Sequence, residues 1–185
     1  MPNSGSSMTH RYLVMPRGIN VGRHNRVSMP QLRTKLAAAG YSDGATVLQS
    51  GNVIVSSETG RPDQVADDVA GLLGEKFDVK VPCLVRTTDQ ILEILRRDPL
   101  QDVVTDPSRY LVYFLSEAPD PHQVKALLEE GHGPEVIVVE GTEAYIWAPH
   151  GMKALTLTHA YLQKRFGVVA TARNWNTLAK IAAKF

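Results

Sequence analysis

RYLV, residues 11–14, occurs again as RYLV at residues 109–112. A four-residue match is weak alone, so the elements that follow each copy have to carry the comparison. After the first copy, 11–17 reads as a strand and 28–39 as a helix. Ser28 is placed to cap that helix, Gln31 to close a capping box, and Gly40 sits just past its end. TVLQS (46–50) and NVIVS (52–56) are β-rich runs split by Gly51, which reads as a hairpin. A helix is predicted over 62–77, with Pro62 in its first turn and Val65, Val69, Leu72 and Leu73 along one face. VKVPCLVR (79–86) reads as a strand and 88–97 as a short helix. The second copy leads through a similar order. A strand over 109–116 precedes a helix over 121–130, introduced by Asp120, Pro121 and Gln123. EVIVVE (135–140) and EAYIWA (143–148) flank Gly141 as a second hairpin. A helix over 152–166, a strand over 168–172 and a final helix over 175–184 complete the half.

Each half thus reads β-α-β-β-α-β plus one helix. That order is the ferredoxin-like unit, a four-stranded antiparallel sheet with two helices on one face. The expected fold class is α+β, a tandem duplication of this unit with an extra helix after each. The competing arrangement is one continuous α+β sheet shared by both halves. The expected organisation is a disordered leader over 1–10, a first half over 11–98, a linker over 99–108 rich in Pro and Asp, and a second half over 109–185.

Composition narrows the function classes. The 43% hydrophobic and 21% charged fractions are those of an ordinary globular protein, large enough to bury a core without staples. The single cysteine, Cys83, rules out an intramolecular disulfide and a cysteine-based zinc site, and fits a reducing, cytoplasmic setting. No run approaches the length of a membrane span, and the opening MPNSGSSMTH lacks a signal peptide's apolar segment. Charge is unevenly placed. Residues 1–42 and 144–185 each hold six Lys or Arg and no acid, whereas 43–143 hold all 19 acids against eight bases. Basic ends flanking an acidic centre either reflect differing helix faces or fold together into an anion-attracting surface.

The basic first block contains the chain's most unusual stretch, YLVMPRGINVGRHNRV (12–27). A hydrophobic run stops at Pro16 and gives way to a glycine-punctuated loop without acids. In the expected topology the end of the first strand, Arg17-Gly18-Ile19-Asn20, shares one edge with the first hairpin, Gln49-Ser50-Gly51-Asn52. The loop then leads to the N-terminus of the helix starting near Ser28, where free N–H groups and the helix dipole favour anions. Arg17, Arg23 and Arg26 add positive charge, and arginine can hold phosphate or carboxylate bidentately. The matching join in the second half, LSEAPD, is shorter and acidic, so the loop belongs to one half only. Long loops in compact units are often functional. Against this, Asn20 and Asn25 can simply satisfy loop backbone groups. A third string, ATARNWNTLAK (170–180), offers Arg173 and Trp175 as a charge-and-stacking pair, or equally Asn174 as a helix cap and Trp175 as a buried anchor.

MPRGINVGRHN (15–25), QSGN (49–52) and RNWNT (173–177), in this order, resemble the bacterial family known as domain of unknown function 1697. Its members carry L-L-R-G-I-N-V-G-G-x-N, Q-S-G-N and R-N-W-N-T strings. Met15-Pro16 departs from the usual aliphatic pair, and Arg23-His24 from the commoner Gly followed by Lys or Arg. The resemblance implies a duplicated ferredoxin-like fold in a cytoplasmic bacterial protein and brings no reaction. It singles out Arg17, Asn20, Asn25, Gln49, Ser50, Asn52, Arg173 and Asn174. With Gly18, Arg23 and Trp175 these form the expected ligand-binding set.

Signatures of familiar chemistry are missing from the sequence. Gly18 and Gly22 are spaced wrongly for a dinucleotide turn, and there is no phosphate loop, no G-x-S-x-G around Ser50 and no H-E-x-x-H. The six histidines, at 10, 24, 122, 132, 150 and 159, show no metal-ligand spacing, so neither a metal nor a cofactor is expected. Arg, Asn, Gln and Trp bind and orient; none is a general base near neutral pH. The leading expectation is therefore a binding or regulatory module for a small anionic ligand, phosphate- or nucleotide-like. Nucleic acid ranks lower, because the central strands lack the paired aromatics with which such sheets hold RNA. Two readings stay open beside it: an enzyme on a small anionic substrate using Ser50 or His24, and a protein-interaction module whose motifs are structural.

Overall fold

In the computed structural model, which describes residues 9–49 and 51–185, the first strand β1 (His10–Pro16) is a central one. It pairs antiparallel with β3 (Asn52–Ser57) on one side and β4 (Cys83–Thr87) on the other, and β2 (Ala45–Val47) pairs with β3, giving the order β2-β3-β1-β4. Helices α1 (Met29–Ala38) and α2 (Pro62–Phe77) cover one face. Side chains alternate across a strand, so Tyr12 and Val14 meet Val53 and Val55, Leu32 and Leu36 of α1, and Val65, Val69 and Leu73 of α2 in one apolar cluster. Leu13 and Met15 point the other way and are buried as well.

After α3 (Thr88–Arg97) and a 3-10 turn at Pro107–Arg109, the same order returns. β5 (Tyr110–Leu115) pairs antiparallel with β7 (Glu143–Trp147) and β8 (Ala170–Asn174), and β6 (Val136–Glu140) pairs with β7, giving β6-β7-β5-β8. Helices α4 (Pro121–Glu129) and α5 (His159–Phe166) supply Leu127, Leu162 and Phe166 to the cluster under this sheet, and α6 (Trp175–Ala182) ends the chain. The chain divides into two compact units inside α3, between Ile91 and Leu92, with Phe185 belonging to the first. The fold is thus a two-part α+β structure with two four-stranded antiparallel sheets. The first eight residues of the expected leader lie outside the described residues, and His10 already belongs to β1.

The two RYLV strings are not equivalent in three dimensions. In β1 the tyrosine and the valine face the helices. In β5 it is Leu111, with Tyr113 and Leu115, that faces α4 and α5. Tyr110 and Val112 lie on the opposite face, where the Tyr110 ring stacks on Trp175 with centroids 4.5 Å apart. A one-residue change of phase flips every side chain of a strand.

Several elements differ from their expected bounds for identifiable reasons. β2 ends at Val47 because Leu48 takes a left-handed conformation, φ 61°. β4 starts only at Cys83, since Pro82 has no N–H for a ladder. α5 starts at His159 rather than near 152. The Thr158 hydroxyl caps it by accepting from Tyr161 N–H, and the Glu135 carboxylate takes the N–H groups of Thr156 (2.7 Å) and Leu157 (3.0 Å). Ser28 occupies the cap position of α1 but makes no side-chain cap bond, so the expected capping box with Gln31 does not form.

Candidate functional site

β1 stops at Pro16, and the chain then rises into the loop over 17–28. Arg17 N–H donates to the Pro82 carbonyl at 2.9 Å, fixing where the loop departs. Asn20 does most of the organising. Its Nδ2 donates to the carbonyls of Val27 (2.9 Å) and Gln49 (2.8 Å), and its Oδ1 accepts from Val27 N–H (2.8 Å). Asn20 and Asn25 both sit at positive φ, 53° and 48°, a region asparagine tolerates better than most residues. Asn25 Nδ2 donates to the Gly18 carbonyl at 3.1 Å, and Asn20 N–H to the Asn25 carbonyl at 3.0 Å. These bonds close the loop on itself and leave Arg23, His24 and Arg26 exposed.

The expected neighbourhood of loop and hairpin is present. Besides the Asn20–Gln49 bond, Ile19 packs so closely on the hairpin that a Cβ at Gly51 would lie 2.6 Å from Ile19 Cγ1. Gly51 also has φ 75°, so this position requires glycine twice over. Asn52 is buried, and its Nδ2 spans the hairpin turn to the Val47 carbonyl at 2.8 Å. Ser50 lies outside the described residues.

Loop, hairpin and helix start enclose an open cleft of about 490 Å³, lined by Asn20, Arg26, Val27, Ser28, Gln31, Gln49 and Phe77. No lining residue is acidic, and the first turn of α1 carries no acid either. Its chemistry is one guanidinium, three amide side chains, a helix N-terminus and one aromatic ring. Gln31 and Phe77 escaped the sequence reading as cleft residues. Gln31 reads as a capping partner, and Phe77 only as the residue that closes the helix over 62–77. The available signal for Phe77 was its place at a helix end, where Asp78 turns left-handed at φ 54°. Another cleft, of about 530 Å³ beside α4 and β6, is walled by residues including Pro119, Val124, Leu128 and Val139, with Lys125 and Glu129 on it. Its opposed charges select no ligand sign.

The closing string lies in the second unit and is built differently. Arg173 is buried, and its Nη1 donates to Thr171 Oγ1 (3.0 Å) and the Ala172 carbonyl (2.7 Å). Burial lowers its guanidinium to about 10, which still leaves it charged at neutral pH. Asn174 Oδ1 accepts from Thr177 N–H at 2.9 Å and caps α6, and Trp175 stacks on Tyr110. Cys83 is half-buried, and burial, with Asp67 adding to it, pushes its thiol up to about 12, far from a nucleophile's range. Among the described residues no group of three or more His, Cys, Asp or Glu could hold a metal ion, and no helix is long and apolar enough to cross a membrane.

A family model described as protein of unknown function (DUF1697) matches residues 8–145. The chain belongs to this family. The matched DUF1697 segment contains the whole cleft, while RNWNT at 173–177 lies beyond it. Among solved structures the chain is similar to conserved bacterial protein SP0830 from Streptococcus pneumoniae, at 25% identity and a TM-score of 0.72, over 96% of this chain and 99% of that one. No curated protein matches the chain.

Proposed function

We propose that this DUF1697 protein is a binding or regulatory module for a small anionic, phosphate- or nucleotide-like ligand held in the cleft beside the 17–28 loop. The carrying observation is the acid-free lining of that cleft, where Arg26 and the amides of Gln31 and Gln49 lie around the start of α1 while the Asn20 amide is engaged by loop and hairpin. Arginine and helix-start N–H groups are the usual holders of phosphate oxygens. Arg17, Gly18, Arg23 and Asn25 then serve as loop frame and local positive field, Gln49 as the hairpin side of the wall, and Asn52 as a buried brace of the hairpin turn. Arg173, Asn174 and Trp175 are assigned to the framework of the second unit, a role supported by burial, capping and stacking. The cleft offers no general base, which favours binding over turnover.

The same reading takes the two units as a duplicated ferredoxin-like βαββαβ unit in a cytoplasmic protein. Matching strand orders support the duplication, and a lone, half-buried cysteine fits the compartment. The phase difference of the two RYLV strings removes that repeat from the argument and leaves topology to carry it.

Calorimetric titration with inorganic phosphate and with AMP at low salt tests the binding function. The expected result is binding that weakens at least about tenfold in Arg26→Ala, and as salt is raised, with no change in thermal midpoint. Equal affinity in wild type and Arg26→Ala, or no binding of either probe, would overturn it.

A further inference from the structure

We propose that the ligand of this cleft is a nucleoside phosphate whose base lies on the Phe77 ring. This rests on the anion reading above and goes further by naming the ligand class. A volume of about 490 Å³ lies within the range of pockets for whole small molecules and far exceeds the needs of one phosphate group. The lining is also chemically divided. Arg26 and the start of α1 suit an anion, while Phe77 is apolar and flat.

Phe77 is half-buried: it packs against the core of the first unit and also lines the cleft. A ring fixed in this way is a stacking platform, and base–aromatic stacking tolerates any base. Gln31 and Gln49 each carry one carbonyl acceptor and two amide donors, the complement that base edges and ribose hydroxyls require. A bare inorganic anion would make no use of the Phe77 ring.

The test is a calorimetric series at fixed low salt with inorganic phosphate, ribose 5-phosphate, adenosine, AMP and UMP. The expected result is that both nucleotides bind at least about tenfold more tightly than phosphate or ribose 5-phosphate. Phe77→Leu, which keeps an apolar side chain on the core, removes that advantage and leaves phosphate affinity unchanged. Phe77→Tyr, which keeps the ring, retains it. Nucleotides no tighter than phosphate, with phosphate binding still lost in Arg26→Ala, would overturn the nucleoside assignment and leave the anion reading standing. Adenosine binding as tightly as AMP, or no binding of any probe, would overturn both. If Phe77→Leu does not fold, the order of the five probes on the wild-type protein decides the matter.

Discussion

β1 and β5 share the letters Tyr-Leu-Val of the repeated string, hold the same place in sheets of the same order, and use those letters in opposite ways. Tyr12 lies under α1 and α2 with its hydroxyl donating to the Thr59 carbonyl at 2.9 Å, while Tyr110 faces away from α4 and α5 and stacks on Trp175. Tyr, Leu and Val are buried in both strands whichever side they face, so the string does not encode a face. The face is set by the remainder of each strand and by the helices that reach it. β1 ends at a proline that opens a long loop; β5 runs on to Leu115 and turns within a few residues. Shared topology therefore coexists with unshared detail, and the candidate site lies in the detail.

The largest expected contrast is between the two hairpin glycines. Gly51→Ala meets both a left-handed backbone and the buried Ile19 side chain, whereas Gly141, at φ 59°, has open space where a Cβ would go. Unfolding in urea should show a loss of about 3 kcal/mol for Gly51→Ala and about 1 kcal/mol for Gly141→Ala. Equal losses would mean that the hairpins are held alike after all. Next comes the loop that only the first unit has. Asn20→Ala removes three hydrogen bonds and should cost about 2–3 kcal/mol, against about 1 kcal/mol for Asn25→Ala, whose side chain makes one bond. A smaller effect checks the outward face of β5. A double-mutant cycle on Tyr110 and Trp175 should give a coupling of about 1 kcal/mol, and no coupling would return Tyr110 to the helix side.

What the sequence revealed and what it hid follow a physical division. α2 and α3 were legible to the residue because their ends are written locally, by Pro62 before an apolar stripe and by Asp98-Pro99 after Arg97. The start of α5 was not, because the group that holds Thr156 and Leu157 out of the helix is Glu135, more than twenty positions away. Asn20, Asn25 and Asn52 stood out as candidates, yet the bonds they make go to loop and hairpin carbonyls, partners a string of letters cannot name. Phe77 was hidden for the converse reason: a helix-end phenylalanine reads as the close of its helix whether or not its far side is open.

The smallest expected effect concerns the opening residues of the last strand of each sheet, Cys83 in β4 and Ala170 in β8. Folding raises the Cys83 thiol from 9.0 to about 12. Between those values the folded chain keeps a proton that the unfolded chain has lost, so stability is complete below pH 9 and falls as pH rises toward 12. Urea unfolding at pH 8 and pH 10 should show a shallower decline in Cys83→Ala than in wild type. The buried tyrosines shift in the same direction and form the common background. An identical decline would place the thiol in water.

The three bonds of Asn20 have a dynamic consequence. Val27 N–H is held by that side chain rather than by a helix or a strand, and the same amide group grips the Gln49 carbonyl. Loop and hairpin therefore cannot fray independently: opening one releases the other, which makes them a single small cooperative unit. In amide hydrogen exchange, Val27 would report the opening of that whole unit, and an occupant of the cleft would slow its exchange by holding the unit closed.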